Sequence, residues 1–157
     1  MLKIEGEALN GRTGHGAGRE LLERMYRETA GEDCPQIAIA DRGKPYFVTG
    51  GLHFSISHTH RHVFCALSDR PVGLDAEEKD RQIDLRLAEK ILSEPEKGRF
   101  DAAQDNRETL LRFWVLKEAA AKLAGDGLRG YPNRTDFDPA DKRIAEMNGC
   151  YVAVLTE

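Results

Sequence analysis

At 157 residues, with 40% hydrophobic and 32% charged side chains, the chain is sized for one globular domain that buries its core without disulfide staples. A net charge of −4 gives no general pull toward nucleic acid or an anionic membrane. No stretch has the apolar character of a signal peptide or a bilayer span, and Cys34, Cys65 and Cys150 lack any C-x-x-C spacing, so a cytoplasmic protein with reduced thiols is expected.

Leu2-Lys3-Ile4-Glu5 reads as a short strand. Gly11, Gly14, Gly16 and Gly18 then predict a flexible loop before a helix over about 17–29, whose apolar side carries Leu21, Leu22, Met25 and Tyr26. The glycines match no phosphate-binding fingerprint, although Arg12 and Arg19 stand near that helix start, where an anion is favoured. Ile37-Ala38-Ile39-Ala40 and Tyr46-Phe47-Val48 read as strands around the turn Asp41-Arg42-Gly43-Lys44-Pro45.

The run His53-Phe54-Ser55-Ile56-Ser57-His58 alternates with period two, putting Phe54, Ile56 and His58 on one face and Ser55 and Ser57 on the other. Val63 to Leu67 is its hairpin partner. His58, His60 and His62 alternate around the tip, but with no nearby Cys or carboxylate ligand they read as a surface turn rather than a zinc site. Of the three, His58 stands apart because it closes a strand.

In Pro71-Val72-Gly73-Leu74-Asp75-Ala76-Glu77, the strand period projects Asp75 and Glu77 side by side, with Leu74 and Ala76 opposite. Adjacent carboxylates repel unless a proton or cation lies between them, and hard divalent cations take oxygen ligands. A helical segment over about 84–92 is expected to bury Leu85, Ala88, Ile91 and Leu92, and Ser93 caps a further helix with an acidic first turn. The strongest helix runs from about Arg107 to Lys122, capped by Asp105 or Asn106 and stopped by Gly125. Trp114, Glu118 and Lys122 fall at i, i+4 and i+8 along one stripe. A loop over 125–132 and strands near 136–137, 142–147 and 150–155 complete an α+β chain, with helix before antiparallel strands in each of two halves, about 1–70 and 71–157.

Four motifs in this order, Gly43-Lys44-Pro45-Tyr46-Phe47, Phe54-Ser55-Ile56-Ser57-His58, Val72-Gly73-Leu74-Asp75-Ala76-Glu77 and Trp114-Val115-Leu116-Lys117-Glu118-Ala119-Ala120-Ala121-Lys122, resemble those of the 4′-phosphopantetheinyl transferases. The G-K-P and S-I-S-H elements make the likeness one to the surfactin-synthetase-activating type. The resemblance implies one transferase domain over 1–157, built as a pseudo-dimer of two similar lobes with a shortened first lobe, and a monomer or homodimer. It implies Mg²⁺-dependent (alternatively Mn²⁺-dependent) transfer of phosphopantetheine from coenzyme A to a serine of an apo acyl or peptidyl carrier protein, releasing 3′,5′-ADP. Asp75, Glu77 and Glu118 would hold the metal, with Lys122 at the pyrophosphate. Lys44, Ser57 and His58, with Arg19 and Arg12 as weaker candidates, would meet the rest of coenzyme A. Glu118, or a water it orients on the metal, would be the base, and Lys117 would line the path of the carrier or the pantetheine arm. Competing readings are a non-catalytic coenzyme A or carrier-protein binder and a metal-dependent phosphohydrolase.

Overall fold

The computed structural model describes residues 1–127 and 132–157; the predicted loop over 125–132 therefore lies partly outside the described residues. Among the described residues no helix is long and apolar enough to cross a membrane. Strand β1 (Leu2–Ala8) is followed by α1 (Gly14–Ala30), the two-stranded ribbon β2 (Ile37–Ile39) and β3 (Pro45–Phe47), and the strands β4 (His53–His58), β5 (His62–Ser68) and β6 (Val72–Glu78). A 3₁₀ turn (Leu85–Leu87) leads into α2 (Ala88–Ile91), α3 (Glu94–Asp101) and α4 (Asn106–Ala124), and the hairpin β7 (Ile144–Met147) and β8 (Cys150–Thr156) ends the chain.

Two three-stranded antiparallel sheets result, ordered β1-β5-β4 and β6-β8-β7. Strand alternation decides what each covers. Val63, Cys65 and Leu67 of β5 pack under Leu21, Leu22 and Met25 of α1, while Phe64 and Ala66 meet Leu74, Ala76, Val152 and Val154 of the other sheet. In β8, Val152 and Val154 face that shared core, and Tyr151, Ala153 and Leu155 pack under Leu111, Val115 and Ala119 of α4. The layers are therefore α1, sheet, sheet, α4, and each central strand is buried on both faces.

The start of α1 departs from the loop reading. Thr13 caps the helix by accepting from the Gly16 N–H at 3.0 Å, and Gly14, Gly16 and Gly18 lie inside it. A Cβ on Gly14 would come within 2.3 Å of the His58 ring, and one on Gly18 within 2.8 Å of Ile56. The glycines let the helix lie close on β4 rather than making a loop pliable. In the second half, 85–87 form a 3₁₀ turn with Leu85 exposed, and the segment near 136–137 is not a strand. Phe137 instead docks as a partly buried anchor between the cores beneath α4, and its N–H donates to Glu96 Oε2 at 2.7 Å.

Gly73 fixes how closely α4 approaches β6. A Cβ there would stand 2.1 Å from the Ala119 carbonyl oxygen and 2.4 Å from the Leu123 nitrogen, both backbone atoms that cannot swing aside. Gly73→Ala is expected to cost about 1–3 kcal/mol of stability, the usual penalty of overpacking, in a urea unfolding curve. An unchanged midpoint would show that α4 is free to move off the strand.

Candidate active site

The close approach at Gly73 brings the α4 stripe against the face of β6 that carries Asp75 and Glu77. Asp75, Glu77, Arg81, Trp114, Glu118 and Lys122 line one concavity, together with Ser57 and His58 from the end of β4. The stripe and the strand period thus deliver the predicted carboxylates and lysine to one place.

Asp75 is buried at its centre. Its Oδ1 accepts from Lys122 Nζ at 2.8 Å and from the Ser57 hydroxyl at 3.0 Å, whereas Oδ2 is buried without a hydrogen-bond partner among the described residues. Burial pushes its carboxyl above the usual range, against the pull of Lys122 and Ser57. Glu77 is raised by burial and by the Asp75 charge; its Oε1 accepts from Trp114 Nε1 at 3.0 Å and pairs with the Arg81 guanidinium. Glu118 is pushed up to about 7 by burial and by the charge of Asp75, with Lys122 opposing. Three carboxylates facing one half-closed hollow with a buried, unsatisfied oxygen are short of positive charge, and a divalent cation with oxygen preference fits that deficit. The carboxylates share the hollow without forming a tight cluster. Among the described residues, the triple of such ligands whose atoms all lie within 4.8 Å of one another is a different one, His62, Glu78 and Cys150.

The remaining candidates divide. Ser57 is buried, and its hydroxyl also accepts from the Ala76 N–H at 3.3 Å, while Ser55 accepts from the Leu74 N–H at 2.9 Å. The polar face of β4 is thus a seam to β6, and Ser57 holds Asp75 rather than standing open to a ligand. Lys44 lies on the wall of an adjoining hollow lined by Arg42, Ile56, Glu118, Lys122 and Gly125; its Nζ donates to the Leu123 carbonyl at 2.7 Å, and burial lowers its pKa. His58 is exposed at the rim, its ring against Gly14.

Arg12 and Arg19 stand elsewhere. Arg12 is held between Glu7 at 2.9 Å and Glu20 at 2.8 Å, and Arg19 pairs with Glu23 at 2.7 Å; neither lines the two hollows. Lys117 is buried against Glu96 at 2.5 Å, at the back of a small separate hollow that Ala124 and Pro132 also line. Two arginines were missed by the sequence reading. Arg81 reaches the hollow because the turn after β6 closes with its N–H on the Glu78 carbonyl at 3.0 Å, and Arg42 pairs across to Asp126 beyond the end of α4. In sequence both are lost among neighbouring charges.

Comparison with known proteins gives the family of the chain. The sequence profile of the 4′-phosphopantetheinyl transferase superfamily matches residues 71–150, half of the chain and the part holding Asp75, Glu77, Glu118 and Lys122. The chain belongs to that superfamily, and to its Sfp-like type. It is 36% identical over 88 residues to the 4′-phosphopantetheinyl transferase gsp of Aneurinibacillus migulanus, covering 55% of this chain and 36% of that protein. To the 4′-phosphopantetheinyl transferase Sfp of Bacillus subtilis it is 36% identical over 113 residues, covering 70% of this chain and 49% of the relative. The 4′-phosphopantetheinyl transferase psf-1 of Bacillus pumilus gives 35% over 109 residues, with 68% and 42% covered. The chain spans about a third to a half of the length of these relatives. Its superfamily membership accounts for the mixed α and β architecture around the carboxylate hollow.

Proposed function

We propose that the protein transfers the 4′-phosphopantetheine of coenzyme A to a serine hydroxyl of an apo acyl or peptidyl carrier protein, releasing 3′,5′-ADP. The buried Asp75 Oδ2, unpartnered and set among two further carboxylates and a lysine, carries this reading. The two helix-and-sheet units are read as the two lobes of the family's pseudo-dimer, with the substrate lying where β4, β6 and α4 converge.

A magnesium ion held by Asp75, Glu77 and Glu118 would supply positive charge to the pyrophosphate, and Mn²⁺ shares that oxygen preference. The chain's own residues do the rest. Lys122, 2.8 Å from Asp75, is placed to meet the charge that gathers on the leaving phosphate oxygens, where a fixed cation acts most strongly in a partly dry site. Glu118, the carboxylate that α4 contributes to the hollow, accepts the proton of the incoming serine. Lys44, on the wall of the adjoining hollow, and His58, at the rim of the carboxylate hollow, receive the 3′-phosphate end of coenzyme A. Trp114 and Arg81 fix Glu77 so that its carboxylate stays turned into the hollow.

The experiment is the intact mass of an apo acyl carrier protein after incubation with this protein, coenzyme A and Mg²⁺, with and without chelator. A gain of one phosphopantetheine that the chelator abolishes is the expected result. Consumption of coenzyme A with an unchanged carrier mass would instead identify a phosphohydrolase. Binding of coenzyme A with neither outcome would identify a non-catalytic binder.

A further inference from the structure

A second group of ligand-type side chains lies on the opposite face of β6 from Asp75 and Glu77. His62 opens β5, Glu78 closes β6 and Cys150 opens β8, so three strand ends meet at one edge of the core between the two sheets. Glu78 and Cys150 stand directly opposite each other in the β6–β8 register. His62 Nδ1 is 3.0 Å from Glu78 Oε1 and 3.8 Å from Cys150 Sγ, and all three ligand atoms lie within 4.8 Å of one another.

We propose that His62 Nδ1, Glu78 Oε1 and Cys150 Sγ form a zinc site that staples the first sheet to the second, with its fourth position open to water on the His62 side. Bond lengths of 2.0–2.3 Å in a tetrahedral zinc site place ligand atoms roughly 3.3–3.6 Å apart, and the separations of 3.0 and 3.8 Å around His62 Nδ1 bracket that spacing. One nitrogen, one oxygen and one sulfur donor suit zinc, whereas magnesium takes oxygen alone, so the site is chemically distinct from the carboxylate hollow.

The surroundings are those of an oriented ligand set. Arg61 donates to Glu78 Oε2 at 2.8 Å, which leaves Oε1 aimed at the imidazole, and the Thr59 hydroxyl supports that oxygen at 2.5 Å. Glu78 and Cys150 are buried, while His62 keeps partial exposure and gives an ion its way in. Zinc would bind with release of the Cys150 thiol proton to solvent, leaving sulfur as the thiolate ligand.

The test titrates the metal-stripped full chain with Co²⁺ in the presence of excess Mg²⁺. A single equivalent bound with an intense thiolate-to-cobalt charge-transfer band, displaced by Zn²⁺, is expected. The band should vanish in Cys150→Ser and in His62→Ala, and persist in Cys34→Ser and Asp75→Asn. Zinc should also raise the melting temperature of the wild type and leave that of His62→Ala unchanged. Absence of the band in the folded wild type, or its survival in His62→Ala, would overturn the site. So would one equivalent of Co²⁺ bound without a thiolate band and lost in Asp75→Asn, which would place the metal in the carboxylate hollow. His62→Ala, altering a residue that is only partly buried, keeps the test decisive if Cys150→Ser fails to fold.

Discussion

Replacing Lys117 with alanine is expected to destabilise the protein by about 3–5 kcal/mol, the cost of leaving a buried charge without its partner. Lys117 and Glu96 both have 0% exposed side chains. The ammonium donates to Glu96 Oε1 at 2.5 Å and to the carbonyls of Pro132 and Thr135, both at 2.6 Å. Burial pushes Lys117 below the usual lysine range while Glu96 opposes, so the three acceptors are what keep it charged. Glu96 is in turn the reciprocal member of the capping box that starts α3, accepting from the Ser93 N–H at 2.8 Å, and its second oxygen holds Phe137. One ion pair thus ties the start of α3, the middle of α4 and the segment 132–137 together. Chemical denaturation of Lys117→Ala, Glu96→Gln and a Lys117→Met/Glu96→Gln double variant reads the effect. The double variant should recover part of either single loss, because neither charge is then stranded. A cost below about 1 kcal/mol for Lys117→Ala would show that Glu96 finds water instead.

The lines of the fold that sequence reveals are those where period and chemistry agree. Asp105 and Gly125 bound α4 as expected, because a side-chain cap and a left-handed glycine are local devices. The alternation of β4 separates its serines from its apolar residues, and the strand period of β6 sets Asp75 beside Glu77, so the gathering of these side chains in one hollow is legible in the sequence. What sequence hides is what a side chain meets across the chain. The glycines at 14 and 18 look like loop residues until His58 and Ile56 are seen packed on them. His62 belongs by sequence to a turn of three histidines, yet its partners come from positions 78 and 150. Lys117 sits next to Glu118 in sequence but points into the core, since one step along a helix turns a side chain by about 100°. Arg12 looks free at a helix start, and only the fold shows Glu7 and Glu20 on either side of it.

Asp75→Asn is expected to lower the transfer rate by a factor on the order of 10²–10³, the usual cost of removing one preorganised electrostatic group, while leaving thermal stability equal or higher. The two halves of that prediction come from the same atoms. The asparagine keeps an oxygen where Oδ1 accepts from Lys122 and Ser57, and it replaces the unpartnered Oδ2 with a neutral amide nitrogen. Folding then no longer buries a carboxylate whose charge is disfavoured by desolvation and repelled by Glu118 and Glu77. Relief of that strain is the mark of a residue kept for its chemistry rather than its packing. Carrier-protein mass shift at saturating Mg²⁺ and a melting curve on the same preparation provide the two readings. Near-normal transfer would remove Asp75 from the metal set, leaving Glu77 and Glu118 without the buried oxygen that completes it. A clear fall in melting temperature would instead make the Lys122–Asp75–Ser57 chain a structural tie between the sheets, since Ser57 also bridges β4 to the backbone of β6.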